Sequence, residues 1–240
     1  YMSKYVFYAP NPTSIGTLND EESFHACRVL RIRNGDKIRL LDGIGGLFEA
    51  TIDKVDAKKT SFTNVQLIER QTEPNYQIHL YVAPTKQMER MEWMVEKCCE
   101  FGIHEIIFFT SKNSERKEMK TLRLEKIAIA ALKQSKNLYL PKFQPLQALN
   151  EIIKSIKSTT ESQILFAHIS EPPVGTLSKQ MKKVTHYHIF IGPEGDFTEQ
   201  ETQEMLIKSF VPFSLGKAIL RTETAGIAST HAIHLGREED

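Results

Sequence analysis

The spacing of the apolar residues changes near residue 75, and this change constrains the fold more than any other feature of the chain. Before it, short alternating runs such as 37–41 and 47–52 are separated by glycine, proline and asparagine, which predicts strands and turns. After it, strand-like runs alternate with stretches of helical period. The polar, proline-containing segment 71–75 therefore predicts a boundary between two domains, 1–72 and 73–240.

The first domain is expected to be all-β apart from one short helix over residues 20–29. Its other predicted strands cover residues 5–8 and 60–68. Short strands at this spacing are typical of a small closed or half-closed β-barrel.

The second domain is expected to be α/β. Strands are predicted at 78–83, 105–110, 163–167, 188–191 and 210–215, with amphipathic helices at 86–101 and 122–136. Strands that alternate with helices favour a mostly parallel sheet with helices on both faces.

Composition excludes several classes of protein. With 40% hydrophobic and 25% charged residues in 240, the chain is globular rather than disordered. Its longest aliphatic and aromatic run, 106–109, is too short to cross a membrane, and the N-terminus lacks a signal-peptide pattern. Three cysteines, two of them adjacent, do not supply a disulfide framework or a zinc site. We therefore expect a cytoplasmic protein without a metal.

The net charge of +1 excludes a uniformly basic surface but permits local basic patches. Residues 25–39 hold five basic side chains and one acidic side chain, and residues 111–142 hold nine and three. Such local excesses suit contacts with phosphates, although a solvated face explains any single lysine equally well.

Two loops of the second domain are candidates for ligand binding, because ligands in open α/β sheets lie beyond the carboxyl ends of the strands. The loop 191–197 follows a predicted strand and precedes a helix that Thr198 and Glu201 would cap. It lacks the lysine of a P-loop, and its two acids suit a neutral or cationic ligand better than a phosphate. An ordinary strand-to-helix turn explains its spacing equally well. In the second loop, 214–225, Arg221 and Glu223 stand at a helix start, where a salt-bridged first turn is the simpler alternative.

Together these motifs resemble the RsmE family of ribosomal RNA methyltransferases, which belongs to the SPOUT superfamily. The matching segments are Ile-Gly-Pro-Glu-Gly at 191–195, Ser-Leu-Gly at 214–216, Ile-Leu-Arg-Thr-Glu-Thr-Ala at 219–225, the helix end 97–102, the Ala-x-x-Gln-Ser segment 131–135, and His-x-x-Arg-Val-Leu-Arg at 25–31 followed by Gly-Asp at 35–36. They span nearly the whole chain in the family's order. The chain departs from the family at Asp196, where a second glycine is frequent, and after the Gln-Ser pair, where an arginine is frequent and Lys136-Asn137 stands here.

The resemblance implies a PUA-like β-barrel followed by a SPOUT α/β domain with a trefoil knot, and S-adenosylmethionine (SAM) as the cofactor. The residues that it places around SAM are Leu165, Phe166, Ala167, Ile191, Gly192, Pro193, Glu194, Gly195, Leu215, Gly216, Ile219, Leu220 and Arg221. Apolar walls and backbone groups suit adenine, and a sulfonium cation tolerates nearby carboxylates.

The reaction that the resemblance implies is methyl transfer to N3 of a uridine in 16S ribosomal RNA, in the assembled small subunit. Arg221 would stabilise the uridine anion, and Glu223 or Glu194 would accept the N3 proton, although either carboxylate could instead orient a loop. Methylation of nitrogen needs no cysteine nucleophile, so Cys98 and Cys99 are expected to be buried helix residues.

The resemblance also implies RNA contacts and a homodimer. The expected RNA-binding residues are His25, Arg28, Arg31, Arg33, Arg116, Gln134 and Lys136. Apolar residues of the last helix, among them Ile227 and Ile233, could form the dimer interface or belong to the core. Two other functions remain open on sequence: a non-catalytic RNA-binding assembly factor on the same scaffold, and an enzyme for small nucleotides.

Overall fold

The computed structural model describes residues 5–170 and 172–238, and the chain forms two compact units. The first unit ends at Glu73 and also takes in Ile129–Leu140, while the second covers Pro74–Ala128 and continues from Pro141. In the described part of the chain, no helix is long and apolar enough to span a bilayer.

The first unit is built on a four-stranded sheet. Its strands are β1 (Val6–Tyr8), β2 (Lys37–Leu41), β3 (Gly46–Lys54) and β4 (Ser61–Arg70), which lie side by side in that order. β1 is parallel to β2, whereas β2, β3 and β4 are antiparallel. Three register shifts interrupt the pairing of β3 with β4. Such irregularities bend and twist strands, which allows the sheet to curve around one core as in a half-closed barrel.

Alternate residues of these strands face the core of the first unit. In β3, Phe48, Ala50 and Ile52 are buried and the residues between them are partly exposed. They pack with Phe7, Ile38, Leu40 and Phe62, among others. Each fully buried side chain of this size contributes about 1.5–3 kcal/mol relative to an exposed one.

The helix predicted over residues 20–29 is two elements in the structure. After α1 (Pro12–Ile15), α2 (Asp20–Phe24) begins where the Asn19 side chain accepts a hydrogen bond of 2.8 Å from the amide of Glu22. A π-helical turn, His25–Val29, follows directly, and the amide of Leu30 donates to the carbonyl of His25. π-helical turns are rare, and the hydrophobic period of the sequence did not distinguish this one from an α-helix.

The second unit is a six-stranded parallel sheet with helices on both faces. From residue 74 onward the elements in chain order are β5 (Gln77–Val82), α3 (Met88–Glu100), β6 (Glu105–Thr110), α4 (Leu122–Ser135), β7 (Lys142–Ala148), α5 (Leu149–Ser155), β8 (Ser162–Ala167), α6 (Leu177–Gln180), β9 (His186–Ile191), α7 (Glu199–Ile207), β10 (Val211–Phe213) and α8 (Thr222–Glu238). The second half of α4, from Ile129, belongs to the first unit. The strands lie in the order β10-β8-β9-β5-β6-β7, and each neighbouring pair is parallel. The α/β prediction for this part of the chain is therefore confirmed.

Apolar side chains from both layers hold the helices to this sheet. On one face, Phe109, Phe166 and Phe190 of the strands form a buried cluster with Ile152 of α5 and Met205 of α7. On the other face, α3 and α8 pack together, and α8 lies against β5 and β9. This arrangement fixes the sheet between two layers and leaves its carboxyl edge open for loops.

The sequence pattern missed one strand of the sheet, β7. It lies at the edge, most of its side chains are at least partly exposed, and it contains Pro145. Its pairing with β6 is irregular between Ile107 and Phe109. Proline has no amide to donate, so it is tolerated at a sheet edge, and a polar segment that contains it does not read as a strand.

The helix predicted over residues 86–101 is confirmed as α3, slightly shortened. Met91, Met94, Val95, Cys98 and Cys99 are buried, as their spacing predicted. Gly102 ends the helix with a φ of 80°, a left-handed conformation that favours glycine.

Candidate functional site

The candidate site lies at the carboxyl edge of the parallel sheet, where the loops after β5, β6, β8, β9 and β10 emerge together. The glycine loop, defined as Gly192–Phe197, follows β9 and leads into α7. The predicted capping box is present at the start of α7, because the Thr198 side chain and the Glu201 side chain each bond the other's backbone amide. This cap fixes the end of the glycine loop.

A tight turn shapes the glycine loop. The amide of Asp196 donates to the carbonyl of Pro193 at 3.0 Å, and Asp196 has a φ of 56°. Its own carboxylate accepts a hydrogen bond of 2.7 Å from the amide of Phe197. Aspartate tolerates this left-handed conformation when its side chain bonds locally, which explains how the chain keeps the turn at a position where the family often has glycine.

Asn113, in the loop after β6, holds the glycine loop from the side. Its Nδ2 donates hydrogen bonds of 3.0 Å to the carbonyls of both Gly195 and Asp196. A Cβ atom on Gly195 would lie 3.2 Å from the Cβ of Asn113, so a larger residue there would push the two loops apart. The sequence reasoning missed Asn113, and its place just after a strand end was the available signal.

The start of α8 is tied to the same loop. The Thr222 hydroxyl donates a hydrogen bond of 3.0 Å to the carbonyl of Gly192. Thr222 is buried and stands within the motif 219–225, although the motif itself indicates no separate role for it. This contact brings the two predicted loops together in space.

The two predicted catalytic residues of this segment have opposite environments. Arg221 is exposed, and within residues 5–170 and 172–238 its side chain makes no hydrogen bond or ion pair. Glu223 is only 5% exposed, and its Oε1 lies 3.7 Å from Nε of Arg90 on α3. Glu223 Oε2 is buried and has no hydrogen-bond partner within the described chain. The partner of Glu223 is thus Arg90, which the sequence did not indicate, rather than Arg221.

The third predicted catalytic residue, Glu194, is exposed at the tip of the glycine loop. Its carboxylate accepts a hydrogen bond of 3.3 Å from the amide of Lys86, in the loop after β5. Arg116 stabilises that same loop, because its guanidinium donates to the carbonyls of Thr85 at 3.0 Å and Lys86 at 2.6 Å. Arg116 was expected to bind RNA, but its guanidinium instead donates hydrogen bonds to the backbone of the loop after β5.

The predicted cofactor residues differ widely in exposure. Leu165, Phe166, Ile191 and Pro193 are buried, so a ligand would reach them through their backbone atoms. Ala167, Gly192, Leu215 and Leu220 are half-buried, and Glu194, Gly195, Gly216 and Arg221 are exposed. Ile219 is 78% exposed, so its side chain is accessible to a ligand.

These features fit SAM. A Cβ on Gly216 would meet nothing within 4 Å, Ile219 offers an apolar surface for a purine, and Glu223 offers an unused acceptor for an amino or sulfonium-bearing group. By contrast, no group of three or more His, Cys, Asp and Glu among the described residues is arranged to hold a metal ion.

A cavity of about 490 Å³ elsewhere in the second unit is lined by residues of α6, the segment after it, β9 and α8. It includes Lys182, Lys183 and Tyr187 and none of the predicted cofactor residues. The cavity is therefore distinct from the candidate site.

The expected RNA-binding residues belong to both units. In the first unit, Arg28, Arg31, Arg33, Gln134 and Lys136 are exposed. His25 is half-buried and lies edge-on to the buried Phe7 with 6.5 Å between ring centroids, so its imidazole faces inward.

Fold and site together define an α/β RNA methyltransferase of the SPOUT class with a PUA-like domain before it. The family model for the RNA methyltransferase domain matches residues 72–234, and the model for the RNA methyltransferase PUA domain matches residues 18–62. The chain belongs to the ribosomal RNA small subunit methyltransferase E family, RsmE. The family and fold class expected from the sequence are thus confirmed.

Similar proteins cover nearly the whole chain. The "Ribosomal RNA small subunit methyltransferase E 1" of Borreliella burgdorferi is 30% identical over 89% of this chain and 90% of its own. A crystal structure from Porphyromonas gingivalis is 38% identical, with a TM-score of 0.87 over 98% of both chains. The ribosomal RNA small subunit methyltransferase E of Neisseria gonorrhoeae, solved bound to S-adenosyl methionine, is 27% identical, with a TM-score of 0.81 over 96% of this chain and 97% of that one.

Proposed function

We propose that this protein is a SAM-dependent methyltransferase that modifies N3 of a specific uridine in 16S ribosomal RNA, in the assembled small subunit. The observation that carries the proposal is the hydrogen bond from Thr222 to Gly192, which joins the glycine loop to the start of α8 at the carboxyl edge of the sheet. The names of the similar proteins and the SAM-bound relative support the same activity.

The residues that would hold SAM surround this junction. Backbone groups of 191–195 and 215–216 would bond the polar parts of the molecule, and Ile219 and Leu220 would cover its purine. When bound, SAM supplies the methyl group and leaves as S-adenosylhomocysteine, while the protein supplies placement.

Methyl transfer also requires that the proton on uridine N3 be removed. Uridine N3 carries a hydrogen at neutral pH, so the N3–H bond breaks as the N3–carbon bond forms, and the proton passes to an acceptor. Glu223 supports this role through its unpartnered Oε2, and Glu194 is the alternative acceptor. Arg221, exposed and without an ion pair in the described chain, is placed to stabilise the negative charge that develops on the uracil ring.

The substrate RNA would contact both parts of the chain. We propose a PUA-like RNA-binding domain over 1–72 and a methyltransferase domain over 73–240. The exposed Arg28, Arg31 and Arg33 suit phosphates. Because N3 takes part in Watson–Crick pairing, the target uridine must be unpaired or flipped out. We further propose that the protein acts as a homodimer in the cytoplasm.

The decisive experiment uses small ribosomal subunits that lack the modification. Incubation with the protein and labelled SAM should place one methyl group per subunit, and mass spectrometry of the nucleosides should identify 3-methyluridine. A methyl group on another atom would refute the proposed position. SAM binding without any transfer would leave the non-catalytic assembly factor as the better reading.

A further inference from the structure

Phe24 is an exposed aromatic residue beside the basic segment of the first unit. It is the last residue of α2 and is 56% exposed, although the neighbouring His25 ring turns toward the core. Val29, at the end of the π-helical turn, is 60% exposed. Both side chains therefore offer apolar surface to a partner beside the basic segment.

The π-helical turn places Arg28 on the same side as Phe24, and Arg31 follows three residues later. Residues four or five positions apart in α- and π-helical turns share a face, which aligns Phe24 with Arg28 and Val29. Arg28 and Arg31 are exposed and make no ion pair within residues 5–170 and 172–238. Asp20 and Glu21 carry the opposite charge in the first turn of α2, about two turns before Arg28, so an anionic partner is directed toward the arginines.

The backbone of this segment is also unusual. Arg31 has a φ of 53°, a left-handed conformation that a branched or long side chain adopts at an energetic cost. A π-helical turn and a left-handed arginine within seven residues are both features that concentrate at functional sites.

We propose that Phe24 is a stacking surface for one unpaired RNA base, with Arg28 and Arg31 contacting the phosphates on either side of that base. An aromatic ring flanked by cations is the arrangement by which proteins hold single-stranded RNA, because every base has a π-face and every linkage has a charge. This inference rests on the proposed function, since it names how the RNA substrate is recognised.

The test measures binding of the full chain to two fluorescent 12-nucleotide RNAs at low salt. One is an unstructured oligomer of mixed sequence, and the other has the same backbone with abasic sites, which keeps phosphates and removes bases. Phe24→Ala should weaken binding of the normal oligomer by about 5- to 150-fold and leave the abasic oligomer unaffected. Phe24→Trp should retain binding.

Two further variants separate stacking from charge and from folding. Arg28→Ala should weaken both oligomers and reduce the slope of log affinity against log salt by about 0.7, the value for one phosphate on a single strand. Leu67→Ala, at a 53% exposed position of β4 in the same unit, is the matched control and should leave both affinities unchanged.

The proposal is overturned if the wild type binds both oligomers equally, if it binds neither, or if Phe24→Ala weakens both to the same extent. Equal binding of the two oligomers by the wild type would show that no base stacks on Phe24, and the partner of Phe24 would then be a protein. SAM binding and methylation of small subunits are measured on the same variants. A wild type that methylates nothing but prefers the normal oligomer refutes the proposed function and keeps the stacking surface.

Discussion

The Thr222 hydroxyl lies 3.0 Å from the carbonyl oxygen of Gly192 and donates a hydrogen bond to it across 30 residues of sequence. Thr222→Val keeps the shape and removes this bond, which contributes about 0.5–1.5 kcal/mol. We expect the dissociation constant for SAM, measured by calorimetry, to rise by about 2- to 12-fold. Thr230→Val removes a buried hydroxyl bonded to Gly226 in the same helix and should leave SAM affinity unchanged. Equal effects of the two variants would contradict a specific role for Thr222.

Substitutions of Asn113 test whether its side chain supports the glycine loop for SAM binding. Asn113→Asp keeps the size of the side chain but replaces its NH2 donor with a carboxylate oxygen. That oxygen would repel the carbonyl oxygens of Gly195 and Asp196, which accept hydrogen bonds from Asn113 in the wild type. We expect Asn113→Asp to weaken SAM binding more than Asn113→Ala, because alanine only removes the donor. The exposed Asn150 on α5 supplies the control, Asn150→Asp. SAM affinity in Asn113→Asp at or above that of Asn113→Ala would show that the loop does not need this donor.

Arg221→Ala tests the electrostatic role in methyl transfer. If the guanidinium stabilises charge that develops on the uracil ring, the rate of methyl transfer should fall by about 10²- to 10³-fold. Because Arg221 is exposed, the melting temperature should stay at its wild-type value. Lys217→Ala, in the same loop and also exposed, is the comparison variant and should retain the wild-type rate. An unchanged rate in Arg221→Ala would remove this residue from the mechanism.

The ion pair of Arg90 with Glu223 predicts that a second substitution, at Glu223, restores stability that is lost when Arg90 is removed. Arg90→Ala leaves a buried carboxylate without its cation, and removing one partner of a buried pair costs about 3–5 kcal/mol, less here because Arg90 is 29% exposed. The double variant Arg90→Ala, Glu223→Gln removes both charges and should recover much of that loss in urea denaturation. If the double variant is as unstable as the sum of its single changes, the two residues are not coupled.

His188 predicts a dependence of stability on pH. Its ring stacks on that of His79 with 4.7 Å between centroids, and its Nδ1 lies 3.2 Å from the Tyr81 hydroxyl. Burial lowers the pKa of His188 from 6.5 to about 3, with His79 and His186 acting in the same direction and Glu105 against it. In the unfolded chain, His188 therefore binds a proton as the pH falls below about 6.5. In the folded chain, the same imidazole stays neutral until the pH is close to 3.

Stability from neutral His188 is complete above pH 6.5 and is lost as the pH falls toward 3, by up to about 1.4 kcal/mol per pH unit. The window from pH 6.5 to 4.5 excludes Glu105, because the hydrogen bond from His79 lowers the pKa of that carboxyl below its ordinary value of 4.5. His234 contributes in the same window, because burial, followed by the charge of His231, lowers its pKa from 6.5 to about 4. We expect His188→Phe to reduce the change of urea stability with pH across that window, and the change that remains belongs to His234. A wild-type slope in His188→Phe would assign the effect to another group.

The hydrophobic period and the motifs predicted most of the second unit. The burial of α3, the capping box at Thr198 and the left-handed Gly102 all follow from residues within a few positions of one another. The edge strand β7 was missed because polar residues and Pro145 conceal its character. The π-helical turn was missed because its hydrophobic period is close to that of an α-helix.

The sequence by itself determined the two kinds of architecture, the strand ends that carry the loops, and the family, because each depends on local spacing or on contiguous motifs. Only the tertiary structure decided that Arg90 pairs with Glu223 and that Asn113 holds Gly195. These partners meet because the strands lie in the order β10-β8-β9-β5-β6-β7. A local hydrophobic pattern tells which face of a strand is buried, but it carries no information about which strand becomes its neighbour.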